Sequence, residues 1–199
     1  MTDATIQGDM LPVGSVERRT SGWYGMLTVI MTEGALFAYL LFSYYYFAVQ
    51  YGREWPPPQL PEFWFSVPNT ILLLASSAAL WFAERGVRRG IRRDLVWGLA
   101  IAIGLAVIYV VLQAIEWSGR PFTMSSTPYG SLYFSISGLH FVHLAIGLII
   151  LVVLLIWSLL NYFDARRYAA VSIGAVYWYF VTAVWLAVFL TIYITPRLG

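Results

Sequence analysis

The chain of 199 residues is 60% hydrophobic and 11% charged, and its net charge of +2 rests on twelve basic residues, every one an arginine. Soluble domains carry about 25% charged residues, so there are too few polar side chains here to clothe a globule in water. The absence of cysteine excludes disulfides and thiolate-ligated metals, and so small a positive excess gives no footing for nucleic acid as a partner.

Residues 1–21 are polar and mixed in charge. They hold no apolar run of signal-peptide length, so an uncleaved cytoplasmic tail is expected there. Residues 22–199 read as a single all-α domain, an integral membrane bundle of five transmembrane helices. Apolar stretches at about 23–49, 64–83, 95–117, 129–160 and 171–195 each cross a hydrocarbon core of about 30 Å at 1.5 Å per residue. The first and fourth exceed the roughly 20 residues required, so they should tilt or project beyond the core.

The connections agree with that division. Arg53-Glu54-Trp55-Pro56-Pro57-Pro58 separates the first two stretches, and no helix continues through such a run. Pro61 and Pro68 follow it. Arg85, Arg88, Arg89, Arg92 and Arg93 fill the second connection, Pro121 and Pro128 bracket the third, and Asp164-Ala165-Arg166-Arg167 marks the fourth. With alternating spans, Arg18, Arg19 and the arginines of the second and fourth connections fall on one side. Arg53, Arg120 and Arg197 fall on the other. The positive-inside rule then predicts a cytoplasmic N-terminus and an outside C-terminus. Trp23, Tyr24, Trp55, Trp64, Trp117, Tyr129 and Tyr193 lie near helix ends, where amphipathic rings favour the interface. Arg88, Arg89, Arg166 and Arg167 are candidates for contact with lipid headgroups.

Ionisable groups at bilayer depth are costly and need partners or a function. Glu33 lies about ten residues into the first stretch and His140 about eleven into the fourth, each roughly 15 Å deep. Glu33, His140 and His143 are therefore expected to form one buried polar cluster at the midplane, with Glu33 in hydrogen-bond reach of one histidine or the other. His140 and His143 share a helix face, and Ser137 and Gly147 extend it, which predicts a close helix contact. Structural packing, a proton-linked role, and metal or haem ligation all remain open for this cluster. The last is disfavoured because two histidines within one turn cannot approach one iron from opposite sides, and zinc needs further ligands. Gln113 and Glu116 form a second polar pair, expected at the outer interface. No catalytic triad, phosphate-cradling loop or metal-spacing motif is present, so no catalytic, cofactor-binding or metal-binding residue is assigned.

These residues carry a resemblance. Trp23, Gly25, Met26, Leu27, Glu33, Phe37 and Ala38 resemble a pattern of the cytochrome c oxidase subunit III family, with Thr32 where serine is common. Trp55-Pro56-Pro57, Asn69-Thr70 and Leu73 to Ser76 follow in order. Leu112-Gln113-Ala114 with Glu116, Pro121-Phe122-Thr123, Tyr129-Gly130-Ser131 and Gly138, His140, His143, Gly147 form the most specific stretch. Tyr177-Trp178, Phe180-Val181 and Val184-Trp185 complete it. Tyr179 and Thr182 stand where the family usually has histidine and aspartate, Arg89 falls where the family has a membrane-embedded glutamate at the end of the second helix, and the long form has two further N-terminal helices.

The resemblance implies the short five-helix form of a non-catalytic subunit of a haem–copper respiratory oxidase, acting with either cytochrome c or quinol. It implies a prokaryotic cytoplasmic membrane, packing against the catalytic subunit I and other subunits, and bound phospholipid. The haem and copper would belong to the partner, and the role would be to stabilise it and support proton uptake during oxygen reduction. Alternatives are the related accessory protein of a nitric oxide reductase, a small proton-linked transporter, and a haem-binding membrane enzyme. No broken helix or paired repeat of the kind transporters use is evident.

Overall fold

In the computed structural model, residues 21–52, 55 and 63–197 are described. The N-terminal tail with Arg18 and Arg19, the segment Arg53-Glu54 and the prolines 56–58 and 61 lie outside them. The described residues form helices α1 (Ser21–Tyr51), α2 (Phe63–Arg88), α3 (Arg92–Ser118), α4 (Pro128–Leu159) and α5 (Ala169–Phe189). A π-helical turn, Leu190–Ile194, and a 3-10 turn, Thr195–Arg197, extend α5. All five helices are long and apolar enough to cross a membrane. The packing is that of a membrane protein: Met31, Tyr39, Phe42, Val49, Trp64 and Ile149 are all well exposed. Such a surface suits hydrocarbon and not water.

The largest departure from the expected boundaries lies between α2 and α3. Hydropathy ends the second span near residue 83, but the helix runs on to Arg88, and α3 already begins at Arg92. Arginine is a good helix former, so the helices outlast their apolar runs. The connection shrinks to three residues. Gly90, at φ +75°, makes this reversal possible because it adopts the left-handed conformation without a Cβ penalty. Ile91 N–H donates to Gly86 O at 2.9 Å and Gly90 N–H to Val87 O at 2.9 Å, the paired bonds that close a Schellman motif. Pro68 sits inside α2, near enough to its start that only the Trp64 carbonyl loses its in-helix donor.

Small residues then let α2 and α3 lie against each other. A Cβ on Gly98 would stand 2.6 Å from the Ala83 Cβ and 2.8 Å from the Ala79 carbonyl oxygen. In a membrane, where apolar burial between helices gives little, this close backbone approach supplies the dispersion contact that holds them. Gly147 plays the same part between α4 and α5. A Cβ there would sit 2.9 Å from Trp178 Cε3, and Trp178 is fully buried. The contact expected from the Ser137–Gly147 stripe is thus with α5.

Caps and cross-links define the two ends of the bundle. Thr127 caps α4 by accepting from Gly130 N–H at 3.0 Å, with Pro128 at its first position. At its other end, Asn161 takes φ +61°, a conformation asparagine tolerates better than most residues. Arg92 joins the start of α3 to the end of α4, and Ser172 Oγ of α5 donates to Glu84 of α2 at 2.7 Å. In the loop before α5, the N–H groups of Arg166 and Arg167 donate to Asp164 Oδ1 at 2.7 and 2.8 Å. These bonds hold the Asp164 carboxyl below the usual carboxylate range. Among the described arginines, Arg85, Arg88, Arg89, Arg92, Arg93, Arg166 and Arg167 lie at this end, and Arg120 and Arg197 at the other.

Candidate functional site

The polar residues expected to gather at the midplane separate into two groups. Glu33 and His143 both lie in the middle third of their helices. Glu33 Oε2 is 3.0 Å from His143 Nε2, which links α1 to α4. His143 Nδ1 lies 2.8 Å from the Leu139 carbonyl. A carbonyl only accepts, so Nδ1 carries a hydrogen. Nε2 must then either donate to a carboxylate as part of an imidazolium, or accept from a protonated Glu33. Either way the pair holds one proton between two groups and is neutral overall, which lowers the cost of placing it in hydrocarbon. Phe37 packs its ring against His143 at 5.1 Å, and the Tyr177 hydroxyl of α5 donates to the His143 carbonyl at 3.3 Å. The Glu33 side chain stays 33% exposed while His143 is 9% exposed, so the carboxylate borders the surface of the bundle.

His140 does not join them. Three residues on a helix is a turn of about 60° short of a full circle, enough for His140 to face α3 and α5 while His143 faces α1. His140 Nε2 donates to the Val181 carbonyl at 3.1 Å, and its Nδ1 lies 3.5 Å from the Tyr109 hydroxyl. The Trp185 ring covers it at 5.1 Å. Every ring nitrogen of the two histidines therefore faces a protein group. Among the described residues, no three histidines or carboxylates converge as a metal site.

Gln113 and Glu116, the pair expected at the outer interface, lie in the last turns of α3 and are turned into the bundle. Both are 1–2% exposed, facing inward at the far end of α3. The reason is that their partners come from three other helices. Gln113 Nε2 donates to Glu116 Oε2 at 3.2 Å, and Gln113 Oε1 accepts from Asn69 Nδ2 of α2 at 3.4 Å; the Tyr109 hydroxyl, 3.4 Å from Gln113 Oε1 and 3.5 Å from His140 Nδ1, has one hydrogen to give to one or the other. Glu116 Oε1 accepts from the Tyr193 hydroxyl at 2.8 Å and the Tyr133 hydroxyl at 3.4 Å, and it forms an ion pair with Arg120. Arg120 Nε also donates to the Tyr133 hydroxyl at 3.3 Å. A connected set of polar side chains thus runs from Arg120, near the bundle end, through Glu116, Gln113 and Tyr109 to His140.

Arg120, Tyr133, Tyr109 and Tyr193 were not singled out as members of this set from the sequence. One signal was available: Arg120 follows Glu116 by four residues, the favourable order for a helical ion pair. Tyr193 gave none, because it reaches Glu116 from the π-helical turn at the end of α5, and such turns have no simple sequence mark. Elsewhere, Thr182 shares a 2.9 Å hydrogen bond with Ser77 of α2, and Tyr179, one turn earlier, is only partly buried.

The four arginines read as headgroup candidates are unequal. Arg88 forms an ion pair with Glu84 and lies 5.5 Å from the Tyr168 ring. Arg89 and Arg166 are exposed, and Arg167 is partly covered beside the Asp164 turn.

The arrangement offers buried polar links that join helices and two histidines whose ring nitrogens face protein groups. The model of the family described as cytochrome c oxidase subunit III matches residues 2–196. The cytochrome c oxidase subunit 3 of Phoca vitulina is 32% identical over 96% of this chain and 74% of its own length. That of Pan troglodytes is 33% identical over 97% of this chain and 75% of its own. That of Pylaiella littoralis is 32% identical over 85% of this chain and 65% of its own. The chain thus spans about two thirds to three quarters of the length of these relatives.

Proposed function

The chain belongs to the cytochrome c oxidase subunit III family, and from that premise we propose that it serves as a non-catalytic structural subunit of a haem–copper respiratory oxidase. Its role on this reading is to pack against the catalytic subunit, hold phospholipid beside it and keep its proton-uptake region in order during oxygen reduction. Haem and copper belong to the partner. The observation that carries the proposal is the engagement of the buried ionisable side chains with one another across helices: Glu33 with His143, Glu116 with Arg120 and two tyrosines. Such groups fix a helix arrangement and leave no nitrogen of either histidine directed at an open site. The flank of α1, of which only Phe37 and Tyr44 are buried, is where a neighbouring subunit's helices would lie.

A tagged form of the chain, extracted gently from its native membrane, should bring down a larger subunit carrying haem and copper. The same chain produced alone should show no Soret band. Recovery of nitric oxide reductase subunits instead would move the accessory role to that enzyme, and a Soret band from the isolated chain would end the structural reading.

The arginines support one orientation: seven described ones lie at the α2–α3 and α4–α5 connections against two at the opposite end. We place the seven in the cytoplasm of a prokaryotic cell, with the N-terminus inside and the C-terminus outside. The chain has no native cysteine, so single cysteines report cleanly. Ser125→Cys, in the exposed loop before α4, should react with an impermeant maleimide on intact cells. Arg89→Cys should react only after the membrane is opened. The reverse pattern would overturn the orientation.

A further inference from the structure

At the arginine-rich end lies a hollow used neither by the polar groups above nor by the family motifs. Arg92, Arg93, Val96, Trp97 and Leu159 line an open pocket of about 440 Å³ between the first turn of α3 and the last turn of α4. Its two guanidinium groups are not equivalent. Arg92 is fixed by donating from Nε to the Ser158 carbonyl at 3.1 Å and from Nη2 to the Leu159 carbonyl at 2.8 Å. These carbonyls form the negative end of the α4 dipole, so part of the Arg92 charge is matched by the protein. Arg93 is exposed and brings a second positive charge to the same pocket.

No carboxylate is among the residues that line it. Asp94 has its Cβ against α2, 2.4 Å from where a Cβ on Gly86 would stand, Glu84 is held by Arg88 and Ser172, and neither lines the pocket. The lining is therefore cationic without a compensating acid. On the membrane side the wall changes character. Trp97 and Leu159 are 59% and 52% exposed, and Ile101 on α3 and Ile156 and Val152 on α4 continue an exposed apolar surface at helical spacing. A free phosphate would use only the mouth. A molecule with a phosphate and a long hydrocarbon chain uses both halves.

We propose that this hollow binds one anionic phospholipid, its phosphate on Arg93 and the unengaged edge of Arg92, its chain along Trp97 and the groove between α3 and α4. The assignment stands on helix packing and charge, independently of the oxidase reading. Neither Arg88 nor Arg166 lines the hollow.

Native mass spectrometry of the full chain in mild detergent tests it, with phosphatidylglycerol or phosphatidylcholine added and inorganic phosphate as competitor. The wild type should retain one phosphatidylglycerol in preference to phosphatidylcholine, undisplaced by phosphate. Arg93→Gln should weaken that retention about fivefold, the effect of one basic side chain near an anionic surface. Trp97→Ala should weaken it as well, and Arg166→Gln should leave it unchanged. Both site residues are exposed, so neither change removes buried packing. Equal retention of the two lipids, displacement by phosphate alone, or wild-type retention in Arg93→Gln would each overturn the proposal.

Discussion

Glu116→Ala is expected to destabilise the bundle by about 3–5 kcal/mol, the usual cost of removing one partner of a buried ion pair. Glu116 is 2% exposed, and the Arg120 side chain only 10%. Truncation leaves the guanidinium without its counter-charge, and the Tyr193 and Gln113 donors without the acceptor they face. Those donors come from α5 and α3, and Tyr133 from α4, so the loss is felt at one end of three helices together. Glu116→Gln keeps an oxygen for Tyr193 but no charge, and its effect should be intermediate. Unfolding in mixed detergent, followed by tryptophan fluorescence, measures the series. Removing Arg120 as well should cost less than the two single changes added together, because the second truncation relieves the unpaired charge left by the first. Wild-type stability in Glu116→Ala would show that the links between these helices lie elsewhere.

The helix count was legible in the sequence because hydrocarbon forces every backbone polar group to find a partner within its own helix. Hydropathy then reports the spans directly. It reports where a helix leaves hydrocarbon, not where it ends, which is why α2 and α3 exceed their apolar runs by several residues on either side of Gly90. The pairing of Glu33 with a histidine was legible from depth alone. Which histidine was not, since depth fixes position along a helix axis and says nothing of rotation about it. Only the packing of α4 against α1 on one side, and against α3 and α5 on the other, separates His143 from His140. The burial of Gln113 and Glu116 was hidden for a related reason. A polar pair near a helix end shows its depth but not which way it faces, and Tyr193 reaches it from the π-helical turn that extends α5.

Removal of this subunit from an assembled oxidase is expected to leave the haem and copper content of the remaining enzyme unchanged, while activity decays several-fold faster over repeated turnovers. The first half follows from side-chain chemistry. The histidine nitrogens are directed at Glu33 and the carbonyls of Leu139 and Val181, and at the Tyr109 hydroxyl. The chain has no thiolate, so a partner's metals should not depend on ligands from here. The second half follows from linkage. A subunit that binds only the native form of its partner shifts the partner's equilibrium away from opened states. Its absence therefore shows as a shortened working life before it shows in the initial rate. Metal analysis and haem spectra of the depleted complex, set beside oxygen consumption followed to exhaustion, read both halves in one preparation. Adding the purified subunit back should lengthen the life of the enzyme without altering its metal content. Glu116→Ala supplies a graded version of the same experiment: if the subunit acts by holding a fixed helix face against its partner, that variant should restore lifetime less well than the wild type. Outright loss of a metal centre on depletion, or an undiminished lifetime without the subunit, would contradict the structural role.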